Sequence, residues 1–192
     1  MTKIAQRIVE SLISHEFLYK GRKEEYIYVV EVLLEKAISF GTLIMLSFLF
    51  KNVLETIVFL FVFMNMRGRT GGFHMSSYGR CWISSIILYA AIVFIIMPLF
   101  SKIGIYSYFV FTGSIIIILI ISTVNHPNMQ LSDLELTESK KVARLIAGIH
   151  WVSLTALFFG LPKNKYVLWA MIADIICAIL LAMAKLIKQE VI

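Results

Sequence analysis

Charge is scarce in this chain. Lys, Arg, Asp and Glu supply only 16% of the 192 residues and apolar side chains 59%. That balance excludes a water-exposed globule, because a soluble domain runs nearer half apolar and keeps a charged surface. The few charges cluster between long apolar runs, as expected where hydrocarbon excludes them, and residues 1–192 read as a single membrane domain. The net charge of +6 has no soluble basic domain to carry it, so no nucleic-acid partner is expected, and the cations are read as orientation signals. Cysteine is nearly absent: Cys81 and Cys177 cannot build a multi-bridge secreted framework, and Cys81 is expected as a free thiol. No signal peptide is expected, since Arg7, Glu10, Glu16 and the cluster Lys20, Arg22, Lys23 interrupt the start of the chain. Phosphate loops, dinucleotide fingerprints and convincing internal repeats are missing too, which gives no support to an ATP-driven pump or an inverted-repeat transporter and leaves no cofactor to expect. No metal is expected either, because only two good ligands lie close in sequence and a structural zinc needs four.

What is present is apolar length. Runs near 27–50, 82–100, 105–124, 143–161 and 166–184 are long enough to cross a bilayer, and a sixth at 52–66 is marginal at 15 residues, since a span needs roughly 20. The expected fold is all-α: a polytopic membrane protein with about six transmembrane helices. Within an amphipathic segment 1–25, Ile4, Ala5, Ile8, Val9, Leu12 and Ile13 recur at helical spacing opposite Lys3, Arg7 and Glu10. This predicts a helix that lies at the membrane interface or packs on the rest of the protein. If all six runs cross and the amino terminus is cytoplasmic, thirteen of the 18 Lys and Arg residues fall on the inner side, among them Arg67, Arg69, Arg80, Lys140, Lys141 and Arg144. Lys51, Lys102, Lys163 and Lys165 fall outside. The positive-inside rule then places both termini, the segment 67–81 and the loop 125–142 in the cytoplasm of a multi-pass cell-membrane protein.

The segment Arg67-Gly68-Arg69-Thr70-Gly71-Gly72-Phe73-His74-Met75-Ser76-Ser77-Tyr78-Gly79-Arg80-Cys81 is the densest group of reactive and backbone-permissive residues. A thiol becomes a nucleophile on losing its proton; an imidazole can accept that proton, and nearby cations favour the anion. On an unbroken helix the backbones of His74 and Cys81 would stand about 10.5 Å apart, too far for a hydrogen bond of about 3 Å. A working pair therefore predicts a bend or loop between them, with Gly79 and Ser76-Ser77 as the break. Gly71 and Gly72 let the backbone turn and approach a substrate, so their N–H groups are candidates to face an oxyanion. A chance His–Cys spacing beside a glycine turn reads the same residues as purely structural.

Arg67, the Gly71-Gly72-x-His74 group and Cys81 after six intervening residues resemble the signature of the accessory gene regulator B (AgrB) family of Gram-positive bacteria. Chain length, the amphipathic start, six apolar segments and the Asn125-His126-Pro127-Asn128 loop are similar to that family's layout as well. The resemblance implies a membrane cysteine endopeptidase of quorum sensing, with His74 and Cys81 catalytic and Arg67 and Gly72 supporting. Its implied partner is an AgrD-like propeptide with an amphipathic anchor and an acidic tail, cut at the C-terminal side of the signal through a Cys81 acyl-enzyme. An internal nucleophile of the peptide then displaces Cys81 to leave a cyclic thiolactone or lactone. Membrane lipid is the other expected partner. A homodimer stays open, because no small-residue motif specifies one.

Glu31, Glu35, Lys36, Glu55, His150 and Asp174 lie in or beside apolar runs, where ionisable groups are expensive. They motivate the alternative, a small membrane transporter or peptide exporter without protease activity. The structural reading pairs Lys36 with Glu31 or Glu35, and His150 with Asp174 across the last two spans. Mid-membrane depth argues against Asp174 as an orienter of His74, and Cys177 is read as packing.

Overall fold

The structure, a computed structural model, describes residues 2–15, 17–73, 75, 77–125, 131–161 and 164–188; His74, Ser76 and His126-Pro127-Asn128 lie outside the described residues. Its helices are α1 Thr2–Ser14, α2 Lys23–Leu49 after a 3₁₀ turn Lys20–Arg22, α3 Val53–Thr70, α4 Tyr78–Ala91, α5 Met97–Lys102, α6 Ile105–Ile121, α7 Asp133–Gly160 and α8 Lys165–Leu186. A π-helical segment, Ile92–Ile96, joins α4 to α5. The widened turn directly precedes Pro98, which lacks an N–H and crowds the carbonyl four residues back, so a π-bulge is the expected local relief.

The expected all-α membrane architecture is what forms. Among the described residues four helices are long and apolar enough to cross a membrane: α2, the continuous Tyr78–Lys102 helix, α7 and α8. α6 has 17 residues, about 26 Å at 1.5 Å rise per residue, and fits a core of about 30 Å only with local thinning. α3 continues to Thr70, past the apolar run at 52–66, and its 18 residues approach the same length.

α8 is the centre of the bundle. Its small residues Ala170, Ala173, Ala178 and Ala184 are buried, which lets neighbouring backbones come close where lipid supplies no hydrophobic drive for helix association. Phe59 and Met66 of α3 and Phe111, Ile115 and Ile118 of α6 fill one core with Trp169, Met171 and Leu181 of α8. A second, small cluster joins α1 to α2: Ala5 and Val9 pack on Ile27, and Lys23 Nζ meets Glu10 Oε1 at 2.7 Å. α1 thus takes the packed alternative, while Ile4 and Ile8 on it remain exposed.

Two expectations change. The loop expected over 125–142 ends at residue 132, because Ser132 and Glu135 form a capping box that starts α7: Ser132 N donates to Glu135 Oε2 at 2.9 Å and Glu135 N to Ser132 Oγ at 3.4 Å. Lys36 makes no ion pair with Glu31 or Glu35 among the described residues; Glu31 instead accepts from Thr2 Oγ1 at 2.8 Å. The other intramembrane pairing forms as expected, with His150 Nδ1 3.0 Å from Asp174 Oδ1. Lys165 at the start of α8 meets Glu55 at the start of α3.

Candidate functional site

A helix end leaves carbonyls without intrahelical partners, and at the end of α3 these carbonyls organise everything that follows. Arg69 O accepts from Thr123 Oγ1 at 3.0 Å and from Ser139 Oγ at 3.2 Å. Thr70 O accepts from Val124 N at 3.0 Å. The segment after α6 and the first turns of α7 are thereby tied to the point where the motif leaves α3, and Arg67, Arg69, Lys140, Lys141 and Arg144 gather at one end of the bundle.

Beyond Thr70 the chain turns through Gly71, at φ +64°, and Gly72, at φ +122°, where an L side chain is strained. The Arg67 guanidinium reaches forward from its own helix, donating to Gly71 O and, at 2.7 Å, to Phe73 O. Phe73 N donates to Leu180 O of α8 at 2.9 Å. A Cβ on Gly72 would run into the Arg67 guanidinium and crowd the Leu180 backbone. Glycine at 72 is therefore what allows one arginine to hold two carbonyls of the turn, and Arg67 acts as its clasp. The Gly71 amide is spent on Arg67 O at 3.2 Å, so it is not available to an oxyanion, and of the two glycine amides only that of Gly72 remains a candidate.

Cys81 lies in the first turn of α4, its amide bonded to Ser77 O at 3.1 Å. Its thiol is free and half-buried. The break expected between His74 and Cys81 exists, since Met75 and Ser77 are non-helical, but Gly79 is not its hinge: Gly79 lies inside the α4 helix. Met75 Sδ accepts from Ser84 Oγ at 3.1 Å. Ser84 stands three residues beyond Cys81, hence on the same helix face, so Met75 reaches back to the face that carries the thiol. Two interhelical bonds hold α4 on α2: Tyr78 OH to Glu35 O at 3.3 Å and Trp82 Nε1 to Thr42 Oγ1 at 3.2 Å.

Other singled-out residues take structural places. Cys177 is fully buried and its thiol faces Phe63 O at 3.7 Å. Asp174 is occupied by His150. Thr123, Ser139, Leu180 and Ser84, which build the loop's surroundings, were not distinguished in the sequence; hydroxyls and a backbone carbonyl carry no motif, and only the fold reveals their partners. A cavity of about 380 Å³ bordered by Phe100, Gly104 and Phe158 shares no residue with the 71–81 segment.

Fold and site together define an all-α, multi-pass membrane protein with a clasped Gly-Gly turn leading into a helix that presents a free cysteine. The family profile described as Accessory gene regulator B matches residues 2–184, and the chain belongs to that family. It is 27% identical over 119 residues to a protein of Clostridium perfringens (strain SM101 / Type A) provisionally named AgrB-like. It is 28% identical over the same length to AgrB-like protein 2 of strain 13 / Type A. The matched stretch is 62% of this chain and 56% of each relative, so the chain spans little more than half the length of these curated relatives. No solved structure matches it.

Proposed function

We propose that the protein is a membrane cysteine endopeptidase of quorum sensing, acting at the cytoplasmic face on an AgrD-type propeptide. Cys81 is the nucleophile and His74 the base that takes its proton. Cys81 Sγ attacks the carbonyl at the C-terminal end of the signal segment, and the tetrahedral intermediate collapses as the peptide C–N bond breaks. The leaving amine departs with the proton from His74, and a Cys81 thioester remains. A thiol or hydroxyl of the same peptide then displaces Cys81 and closes a thiolactone or lactone. Exchange of one thioester for another conserves bond type, so the ring keeps the activation that hydrolysis would release, provided water is excluded. Arg67 is a positioning residue in this scheme: it holds Gly71 O and Phe73 O, fixing the backbone just before His74. The cations at this end of the bundle suit an acidic propeptide tail, and by the positive-inside rule they mark the inner face.

The observation that supports the reading is the Met75–Ser84 contact, which brings Met75 to the face of α4 that bears Cys81. The exporter alternative was motivated by six ionisable residues in or beside apolar runs, and the pairs His150–Asp174 and Lys165–Glu55 give three of them, His150, Asp174 and Glu55, structural partners. The test is incubation of the full chain in lipid vesicles with a propeptide carrying an amphipathic anchor and an acidic tail, followed by intact-protein mass measurement. A Cys81-dependent acyl adduct with release of the C-terminal fragment is expected. Cleavage that persists in Cys81→Ala would falsify the assignment.

A further inference from the structure

Ser139, bonded to Arg69 O, fixes the level of the loop-bearing end of the bundle along α7. Lys140, Lys141 and Arg144 follow within five residues, about 8 Å of helix. Arg144 Nε donates to Ser122 Oγ at 2.7 Å and to Leu119 O at 3.2 Å, the latter one of the carbonyls that the end of α6 leaves without helical partners. This anchors the guanidinium stem, and its Nη1 and Nη2 groups have no partner among the described residues. No carboxylate lies within 4 Å of Lys140, Lys141 or Arg144 among the described residues either. Three cations on one side of a helix turn therefore stand without an ion-pair partner among the described residues.

One turn further along α7 the surface opens. A groove of about 540 Å³ is lined by Arg144, Leu145, Gly148, Ile149, Val152 and Ser153. Gly148 makes the notch, since nothing lies within 4 Å of where its Cβ would stand, and Leu145, Ile149 and Val152 are exposed beside it. Ser153, the remaining hydroxyl of the lining, already donates to Ile149 O at 2.7 Å. The groove thus has a cationic mouth and an apolar floor with no spare polar group for a water-soluble ligand.

We propose that this groove is a binding site for an anionic glycerophospholipid, its phosphate on the Arg144 fork beside Lys140 and Lys141 and one acyl chain in the Gly148 notch. Charge complementarity selects the headgroup, because a guanidinium matches phosphate oxygens in a bidentate way that a zwitterionic lipid's own ammonium counters. The apolar floor selects an acylated ligand over free phosphate.

The full-length protein is reconstituted in vesicles of equal phosphatidylglycerol and phosphatidylcholine and extracted in mild detergent, and its retained lipids are counted by native mass spectrometry. Wild type retains phosphatidylglycerol over phosphatidylcholine by about fivefold or more. Arg144→Gln and Gly148→Leu each bring the ratio near one, while Gly41→Leu, an equally open glycine on α2, leaves it unchanged. Gly148→Leu adds a side chain into open space and removes no bond, so the test survives if Arg144→Gln fails to fold. Equal retention of both lipids by wild type, a ratio unmoved by Gly148→Leu, or the same loss in Gly41→Leu overturns the site. Displacement of the retained lipid by soluble glycerol phosphate or by an acidic peptide at similar concentration overturns the lipid as its occupant.

Discussion

α8 and α2 are apolar helices of similar length with opposite surroundings. Of the 22 residues of α8, 13 are buried, whereas α2 buries three of 27. α8 therefore acts as the internal post on which α3 and α6 pack, and α2 as an outer stave with most of its surface left to lipid. The candidate site divides along the same line. Its turn, Gly71 to Phe73, is fastened to the post through Leu180 O and the Arg67 clasp, while Cys81 rides on the first turns of α4, which are bonded to α2; nearer the other end of α4, Tyr89 OH meets Thr56 Oγ1 of α3 at 2.6 Å. A site assembled between a rigid half and a loosely held half gains a fixed substrate-facing backbone and a thiol that can adjust to it, because segments with few buried contacts open at lower cost.

The largest expected effect separates chemistry from scaffold. Cys81→Ala removes a half-buried thiol with no structural bond from its sulfur among the described residues. Cleavage should fall by about 10³-fold or more, and thermal unfolding in lipid should stay where it was. Gly72→Ala is expected to do the reverse on the rigid side. It forces a Cβ into the Arg67 guanidinium at a positive φ, so stability drops by roughly 2 kcal/mol and activity goes with it. Gly79→Ala, on α4 with open space around it, should leave stability unchanged or raise it by up to about 1 kcal/mol. Equal stability losses in the two glycine variants would erase the distinction between the halves.

How much of this was legible in the sequence follows from the kind of force involved. Apolar runs fix where helices cross because hydrocarbon tolerates little else, and all six appear as helices or helix parts. The start of α7 was also written in the sequence, as Ser132 and Glu135 at capping-box spacing, and was missed because the charged run after it reads as loop by hydropathy alone. The break before Cys81 was legible from the distance a His–Cys pair demands, but its hinge was not. Gly79 has the composition of a hinge, yet Gly71 and Gly72 carry the positive φ values because Arg67 and Leu180 close on the backbone there. Lys36 was assigned a partner from spacing along one helix, whereas Glu31 spends its carboxylate on Thr2 of α1, a contact between elements that spacing cannot show.

A smaller effect tests whether the post tolerates damage without touching the chemistry. Asp174 is fully buried and bonded to His150, so Asp174→Ala leaves the imidazole in apolar surroundings without its partner. Polar contacts between membrane helices average about 0.6 kcal/mol and reach about 1.7, and a loss toward the upper end of that range is expected by unfolding in lipid. Cleavage at the permissive temperature should be retained within about twofold, since no hydrogen bond joins the pair to the described residues of the loop. Abolished cleavage in a well-folded Asp174→Ala protein would mean that the pair takes part in the reaction.

The smallest stability effect should carry a disproportionate kinetic one. Trp82→Phe deletes the bond from Nε1 to Thr42 Oγ1 and keeps an aromatic ring at the α2–α4 contact, so stability should fall by only about 0.6 kcal/mol. Because Trp82 adjoins Cys81 and helps set the pose of α4, loosening it lets the thiol wander from the turn that α8 holds still. The rate of acyl-adduct formation should fall about two- to fivefold, in line with the sensitivity of catalysis to sub-ångström placement. Thr42→Val should produce the same slowing and add nothing to it in the double variant, since both remove the Trp82–Thr42 bond and the other bond lost, from Thr42 Oγ1 to Ile38 O, lies within α2 itself. Unchanged acylation in both single variants would mean that the Trp82–Thr42 bond does not set the pose of α4, and that the division between a fixed turn and an adjustable cysteine does not govern the site.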